Sequence, residues 1–258
     1  MKIIETLQDG SDRVFHRVEC EYGTCILLRE TLRYRFEQFL KIAQILKGLS
    51  PEIYRVNRER LEILMEDLGD ESLYNHIHRS GDYGVYRDII KVLKHIHSLP
   101  CKNLPHFDEE HYRFEIDYFL QFNPHLDYLK DFLMKNAELL SRLKDRTFMH
   151  RDFQSRNIFL TPSGIRVIDF QTAHCGHPYY DLASLLWDPY VSLPDDIRED
   201  SARLYGVKDF TLLKRFAIQR LSQALAAYRK LSGRKKFFER FIEPAWKELS
   251  KLIEEFRR

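Results

Sequence analysis

No apolar run in these 258 residues approaches the roughly 20 that a membrane-crossing helix needs. The opening stretch, MKIIETLQDGSDRVF, lacks the long apolar core of a secretion signal. Charge of one sign is also scarce: 41 Lys and Arg stand against 39 Asp and Glu, a net of +2, which gives no global pull toward nucleic acid. Cysteine is confined to Cys20, Cys25, Cys101 and Cys175, with no C-x-x-C pair. These read as free buried thiols in a reducing compartment, and a metal site built on them is not expected. No segment repeats and none is low in complexity. With nucleic acid and membrane set aside, the expectation is a soluble, monomeric, cytoplasmic protein whose partner is a small molecule.

What is present is ample core material. The chain is 44% hydrophobic and 13% aromatic, well outside the disordered range, and long enough for two lobes. DGSDRVFHRVEC and GTCILLRE predict two strands, with turns at Asp9-Gly10 and Tyr22-Gly23. Phe36, Phe39, Leu40, Ala43 and Leu46 recur at helical spacing over 33–47, and EIYRV and LEILMEDLGD predict two further strands. Tyr86, Ile89, Ile90, Leu93, Ile96 and His97 mark one face of a helix, and helical stretches are predicted over 108–122, 125–143, 211–232 and PAWKELSKLIEEF. The change from strand-rich to helical falls at Met65–Asp70. Residues 1–68 are therefore expected to form a nucleotide-clamping lobe, and residues 69–258 a helical lobe with the reactive loop and an acceptor pocket.

The reactive loop is expected in FMHRDFQSRNIFL, residues 148–160. Asp152 is followed five positions later by Asn157, and a hairpin around Pro162-Ser163-Gly164 leads to Asp169 at the end of IRVID. The hairpin returns Asp169 toward Asn157 and converges hard oxygen donors, which suit Mg²⁺ together with substrate phosphates. The remaining carboxylate, Asp152, can accept a hydroxyl proton, as phosphoryl transfer requires. His150, Arg151, Asp152 and Asn157 match the kinase pattern H-R-D-x-x-x-x-N, and Asp169-Phe170 matches D-F-G with Gln171 in place of glycine. ATP and Mg²⁺ are the cofactors this implies. Gly10 and Ser11 at a β-turn are candidates for phosphate contact, and the backbone around Met65, Glu66 and Leu68 for the adenine edge. The lysine that kinases carry on the third strand is absent from TCILLRE. Arg29 is the candidate substitute, with a solvated strand-end charge as its alternative.

The set HRDFQSRN, VIDFQ and YYDLASLLWDPY resembles the aminoglycoside phosphotransferase and choline kinase-like superfamily. Within it the chain is most similar to bacterial anomeric kinases of N-acetylmuramate and N-acetylglucosamine. The resemblance implies an α+β, bilobal, protein-kinase-like fold, with a small antiparallel-sheet lobe and a larger, mainly helical one. It also implies Asp152 as catalytic base, His150 and Arg151 as braces of the loop, Asn157 and Asp169 as Mg²⁺ ligands, and Asp181 as a hydrogen-bonding anchor of the segment after the metal site. The implied reaction moves the γ-phosphoryl of ATP onto the anomeric hydroxyl of an amino sugar, in cell-wall recycling. Other small-molecule kinases (aminoglycoside, choline or homoserine) are alternatives, as is a nucleotide-binding module without transfer. A protein kinase is not expected, because eleven residues separate Asp169 from Asp181 and no A-P-E follows.

Residues 192–258 hold 16 Lys and Arg against 10 Asp and Glu, which suits a neutral or anionic sugar better than a polycation. Glu115 and Arg220 are acceptor-site candidates. Arg220 lies between apolar helix positions and needs a partner, either a substrate carboxylate or an internal acid. His174 and His177 read as loop histidines.

Overall fold

The computed structural model describes residues 2–7 and 13–257. Strands β1 (Lys2–Leu7), β2 (Val14–Cys20), β3 (Gly23–Arg29), β4 (Ile53–Asn57) and β5 (Glu62–Glu66) form one antiparallel sheet in the order β1-β2-β3-β5-β4. Helix α1 (Arg33–Ile45) follows β3. The two-residue alternation of a strand sorts β3 between two faces. Ile26 and Leu28 join Phe36, Phe39 and Ile42 of α1 in the main core, each large side chain contributing about 1.5–3 kcal/mol of burial. Cys25 and Leu27 instead meet Val18 and Leu64 in a small cluster on the other face.

The chain leaves the sheet at Glu66 and enters the helical lobe through α2 (Leu73–Ser80). The Ser72 hydroxyl caps α2 by accepting from the Asn75 N–H at 3.1 Å, and Gly81 ends it at φ 65°. Helices α3 (Tyr86–Ser98), α4 (Glu109–Phe122) and α5 (Lys130–Ser141) follow, as expected. Two short ribbons come next. Strands β6 (Thr147–Met149) and β9 (His174–Gly176) enclose β7 (Ile158–Thr161) and β8 (Gly164–Val167), with β6 pairing β9 and β7 pairing β8. The remaining helices are α6 (Tyr179–Leu186), α7 (Asp195–Tyr205), α8 (Phe210–Ser232) and α9 (Ile242–Arg257). Leu213, Ala217, Leu221 and Tyr228 bury α8, expected over 211–232, against α4, α6 and α9. This is the α+β bilobal fold expected from the sequence. Among the described residues no helix is long and apolar enough to cross a membrane.

The expectation of four free thiols is corrected. Cys20 is joined to Cys25 and Cys101 to Cys175, with Cα separations of 6.2 and 5.1 Å. Antiparallel pairing sets Val18 opposite Cys25 and Cys20 opposite Gly23, so Cys20 and Cys25 are diagonal neighbours on one sheet face. The loop carrying Cys101 is drawn to β9 by hydrogen bonds between Cys175 N–H and Pro105 C=O (2.7 Å) and between Phe107 N–H and Cys175 C=O (3.0 Å).

Candidate active site

The loop from His150 to Asn157 runs from β6 to β7, and the segment from Ile168 to Ala173 runs from β8 to β9. Because each ribbon holds one end of both connections, the two segments lie side by side. Arg151 and Asp169 adopt left-handed backbone, at φ 77° and 62°, which costs a non-glycine residue of order 1–3 kcal/mol. The Asp181 carboxylate, in the first turn of α6, offsets this at the first position by accepting from the N–H groups of His150 (2.6 Å) and Arg151 (2.7 Å). His97 Nε2 lies 3.2 Å from the same carboxylate, and Tyr205 Oη lies 2.6 Å from His97 Nδ1. Asp181 is thus an anchor, but of the loop at His150 and Arg151 rather than of the segment after the expected metal site.

A second buried acid, Asp188, was not anticipated. It accepts from Ser155 N–H at 2.7 Å and Tyr190 N–H at 2.9 Å, and burial pushes its carboxyl up to about 6. His150 is buried beside Phe153, and its Nδ1 accepts from Asp152 N–H at 3.3 Å. Burial holds its pKa below the usual histidine value, against the charges of Asp181 and Asp152, so the ring braces the loop in neutral form.

The three expected oxygen-bearing groups do converge. Asn157 Nδ2 donates to the Asp152 backbone oxygen at 3.0 Å and to Asp152 Oδ2 at 2.9 Å, which turns its amide oxygen away from that carboxylate. Ile168 N–H donates to Asn157 C=O at 3.0 Å and brings Asp169 next to the loop. Gln171, standing where D-F-G has glycine, donates from Nε2 to Asp169 Oδ1 at 2.6 Å. Burial raises the Asp152 carboxyl above its ordinary value; Arg220 opposes the rise and the charge of Asp169 adds to it. An amide oxygen and a carboxylate in this position form a hard donor set that fits Mg²⁺ completed by phosphate and water.

Two cavities meet at Asp152. The larger, about 500 Å³, lies under the sheet and is lined by the expected Met65, Glu66 and Leu68, by Ile26 and Phe39, and by Asp152, Asn157 and Asp169. Among the described residues, the N–H and C=O of Leu68 take no backbone partner. Gly10 and Ser11 lie outside the described residues. Arg29 is not brought to the cavity: half exposed, it pairs with Glu62 at 3.0 Å on the other sheet face. Arg13 and Arg17 line the cavity instead, with Phe15 between them. The alternation at 13, 15 and 17 was the available signal. Arg17 holds Asp67 at 2.7 Å and Asp70 at 2.8 Å, bracing the hinge.

The second cavity, about 330 Å³, is walled by Arg151, Asp152, Trp187, Tyr190, Arg220 and Tyr228 among others. Glu115 is not among its lining residues. It is buried below, accepting from Tyr180 Oη at 2.5 Å and Gln219 Nε2 at 3.0 Å, with Arg151 at 3.7 Å. Arg220 does face the cavity, and its acid partner is internal: its Nη2 donates to Asp152 Oδ1 at 3.1 Å and its Nη1 to Gln223 at 2.7 Å. His174 and His177 lie outside both linings, and burial pushes each down to about 4.

A family model described as "Phosphotransferase enzyme family" (APH) matches residues 3–217. The N-acetylmuramate/N-acetylglucosamine kinase of Pseudomonas aeruginosa is 26% identical over 171 residues, covering 61% of this chain and 51% of that protein. The protein of the same name from Pseudomonas putida is 28% identical over 155 residues, covering 56% and 46%. The chain thus spans about half the length of the curated relatives it matches. Among solved structures, choline kinase from Streptococcus pneumoniae superposes with a TM-score of 0.67 at 14% identity, covering 97% of this chain and 95% of that one. An ethanolamine kinase from Plasmodium vivax gives 0.68 at 17% identity, covering 96% and 81%. These structures share the fold. The chain belongs to the phosphotransferase enzyme family.

Proposed function

We propose that this family member transfers the γ-phosphoryl of ATP to the anomeric hydroxyl of an amino sugar, N-acetylmuramate or N-acetylglucosamine. The observation that carries the reading is that Asp152 and Asp169 border both cavities at once, so a nucleotide in one and an acceptor in the other would meet at them. Asp152 Oδ2 is held by Asn157 and Oδ1 by Arg220, which orients the carboxylate toward an acceptor hydroxyl. As that oxygen attacks the γ-phosphorus in line with the departing ADP oxygen, Asp152 takes the hydroxyl proton. Asn157 and Asp169 are the residues that would hold Mg²⁺, whose chemistry there is to offset phosphate charge. Catalysis then rests on positioning and charge neutralisation.

The wall of the second cavity supports the acceptor class. Its cations are Arg151 and Arg220; of its acids, Asp152 is paired with Arg220 at 3.1 Å, Asp169 is assigned to the metal, and Asp188 is engaged by two backbone N–H groups. Such a wall favours a neutral sugar or one bearing a carboxylate over a polycation. The names of the curated relatives point to the same acceptors.

The test is a coupled ADP-release assay with ATP·Mg²⁺ over N-acetylmuramate, N-acetylglucosamine, aminoglycosides, choline and homoserine. The expected result is turnover on an N-acetyl amino sugar that Asp152→Ala abolishes while ATP still binds. Turnover confined to choline, homoserine or an aminoglycoside would refute the acceptor. Undiminished turnover by Asp152→Ala would refute the base.

A further inference from the structure

Resting on the ATP-dependent reading above, we propose that Arg13 is the residue that grips the nucleotide phosphates, through an ion pair with Glu30. The pair stands in for the absent third-strand lysine. Arg13 precedes β2, its side chain is only 10% exposed, and it lines the larger cavity together with Asp152, Asn157 and Asp169. Its Nη2 donates to Asp169 Oδ1 at 3.3 Å, and its Nε lies 3.9 Å from Glu30 Oε2. Glu30 is itself fixed: its Oε1 accepts from the N–H groups of Thr31 at 2.8 Å and Leu32 at 3.4 Å just before α1. The carboxylate therefore presents its other oxygen to Arg13.

The arginines within β2 and β3 are committed elsewhere. Arg29 faces away with Glu62, and Arg17 is shared among Glu5 (3.5 Å), Asp67 and Asp70. A kinase needs a cation that touches the phosphates and is anchored by an acid near the sheet-facing helix. Here both members come from other positions. The parity of the strands explains the exchange: position 29 points outward with 25 and 27, whereas 13, 15 and 17 point into the cleft. A guanidinium suits the place, because its planar fork can bind phosphate oxygens while one edge stays with a carboxylate.

The prediction separates phosphate grip from adenine grip. Equilibrium binding of ATP and of adenosine, with Mg²⁺ present, is measured on the full chain and on Arg13→Ala, Arg13→Lys and Arg29→Ala. Arg13→Ala is expected to weaken ATP roughly 10- to 100-fold, the range of one charged hydrogen bond, while adenosine affinity stays within about twofold. Arg13→Lys recovers part of the loss, and Arg29→Ala leaves ATP affinity within about twofold. Equal losses for ATP and adenosine in Arg13→Ala would reduce Arg13 to a brace between lobes and overturn the inference. So would unchanged ATP affinity in that variant, or a loss of ATP confined to Arg29→Ala. Failure of the unaltered protein to bind either ligand would instead overturn the nucleotide reading on which the inference rests.

Discussion

Replacing Asp181 by Asn removes one charge and turns one acceptor oxygen into a donor, at nearly constant shape. Asp181 is fully buried and accepts from His150 N–H and Arg151 N–H at 2.6 and 2.7 Å. Hydrogen bonds to a charged group are worth about 1.5–3 kcal/mol each, and a buried N–H left without an acceptor costs about 1–3 kcal/mol. The Asn side chain keeps one acceptor and points its NH₂ at the other N–H, so a loss of about 3–5 kcal/mol of folding stability is expected. That is a large part of the 5–15 kcal/mol typical of a domain. Because Arg151 sits at φ 77° only while these bonds hold it, Asp152 should also drift from its place. A displacement of about 1 Å is worth roughly 100-fold in kcat. Urea unfolding followed by the fluorescence of Trp187 and Trp246 gives the first quantity, and steady-state ADP release gives the second. A stability change below about 0.5 kcal/mol together with an unaltered kcat would refute the anchoring argument.

The other buried acids make separate predictions. Asp188, pushed up to about 6 by burial, binds a proton more tightly in the folded chain than in the unfolded one. Its contribution is therefore fully present below the unfolded value near 4 and is lost as pH rises through 6. The unfolding free energy of the wild type relative to Asp188→Asn should accordingly fall by about 3 kcal/mol between pH 3.5 and 7; a flat difference would count against it. Arg220→Met removes the cation that opposes the raised Asp152 carboxyl. The acid limb of the kcat/KM profile should then move to higher pH, with kcat/KM near neutrality down about 10- to 100-fold. An unmoved limb would detach Arg220 from the base.

The segments proposed to react were legible because their residue spacings are local. His150 to Asn157 and Asp169 carry fixed spacings, and Pro162-Ser163-Gly164 announces the hairpin that joins them. Phe36 to Leu46 and Leu213 to Tyr228 declared their helices by one apolar stripe each. Helix α6 was not read as a helix because Tyr180 to Leu186 are buried on all sides, which erases the periodic signal. Helix α7 has the opposite fault, with few apolar residues in DDIREDSARLY. Strand β1 is an exposed edge, and α2 is short. Glu115 was misplaced because its partners, Tyr180 and Gln219, lie 65 and 104 positions away. Arg29 was a parity error that strand alternation could have prevented. The cysteine pairs depended on register, which hydrophobic pattern alone did not supply.

The nested ribbons confine the proposed base, both proposed metal ligands and the turn that joins them to Thr147–Gly176. Apart from Arg151, Asp152 and their neighbours, the walls of the second cavity come from later in the chain, at Trp187, Tyr190, Arg220 and Tyr228 among others. On the proposed reading, most of the acceptor wall is thus encoded apart from the reacting groups, with Arg220 touching both. On that reading, substitutions at wall positions such as Tyr228 could exchange one acceptor for another without touching the strained backbone at Arg151 and Asp169, whereas loss of Asp152 would extinguish every acceptor alike. Such a division lets a lineage explore new substrates at little risk to its reaction.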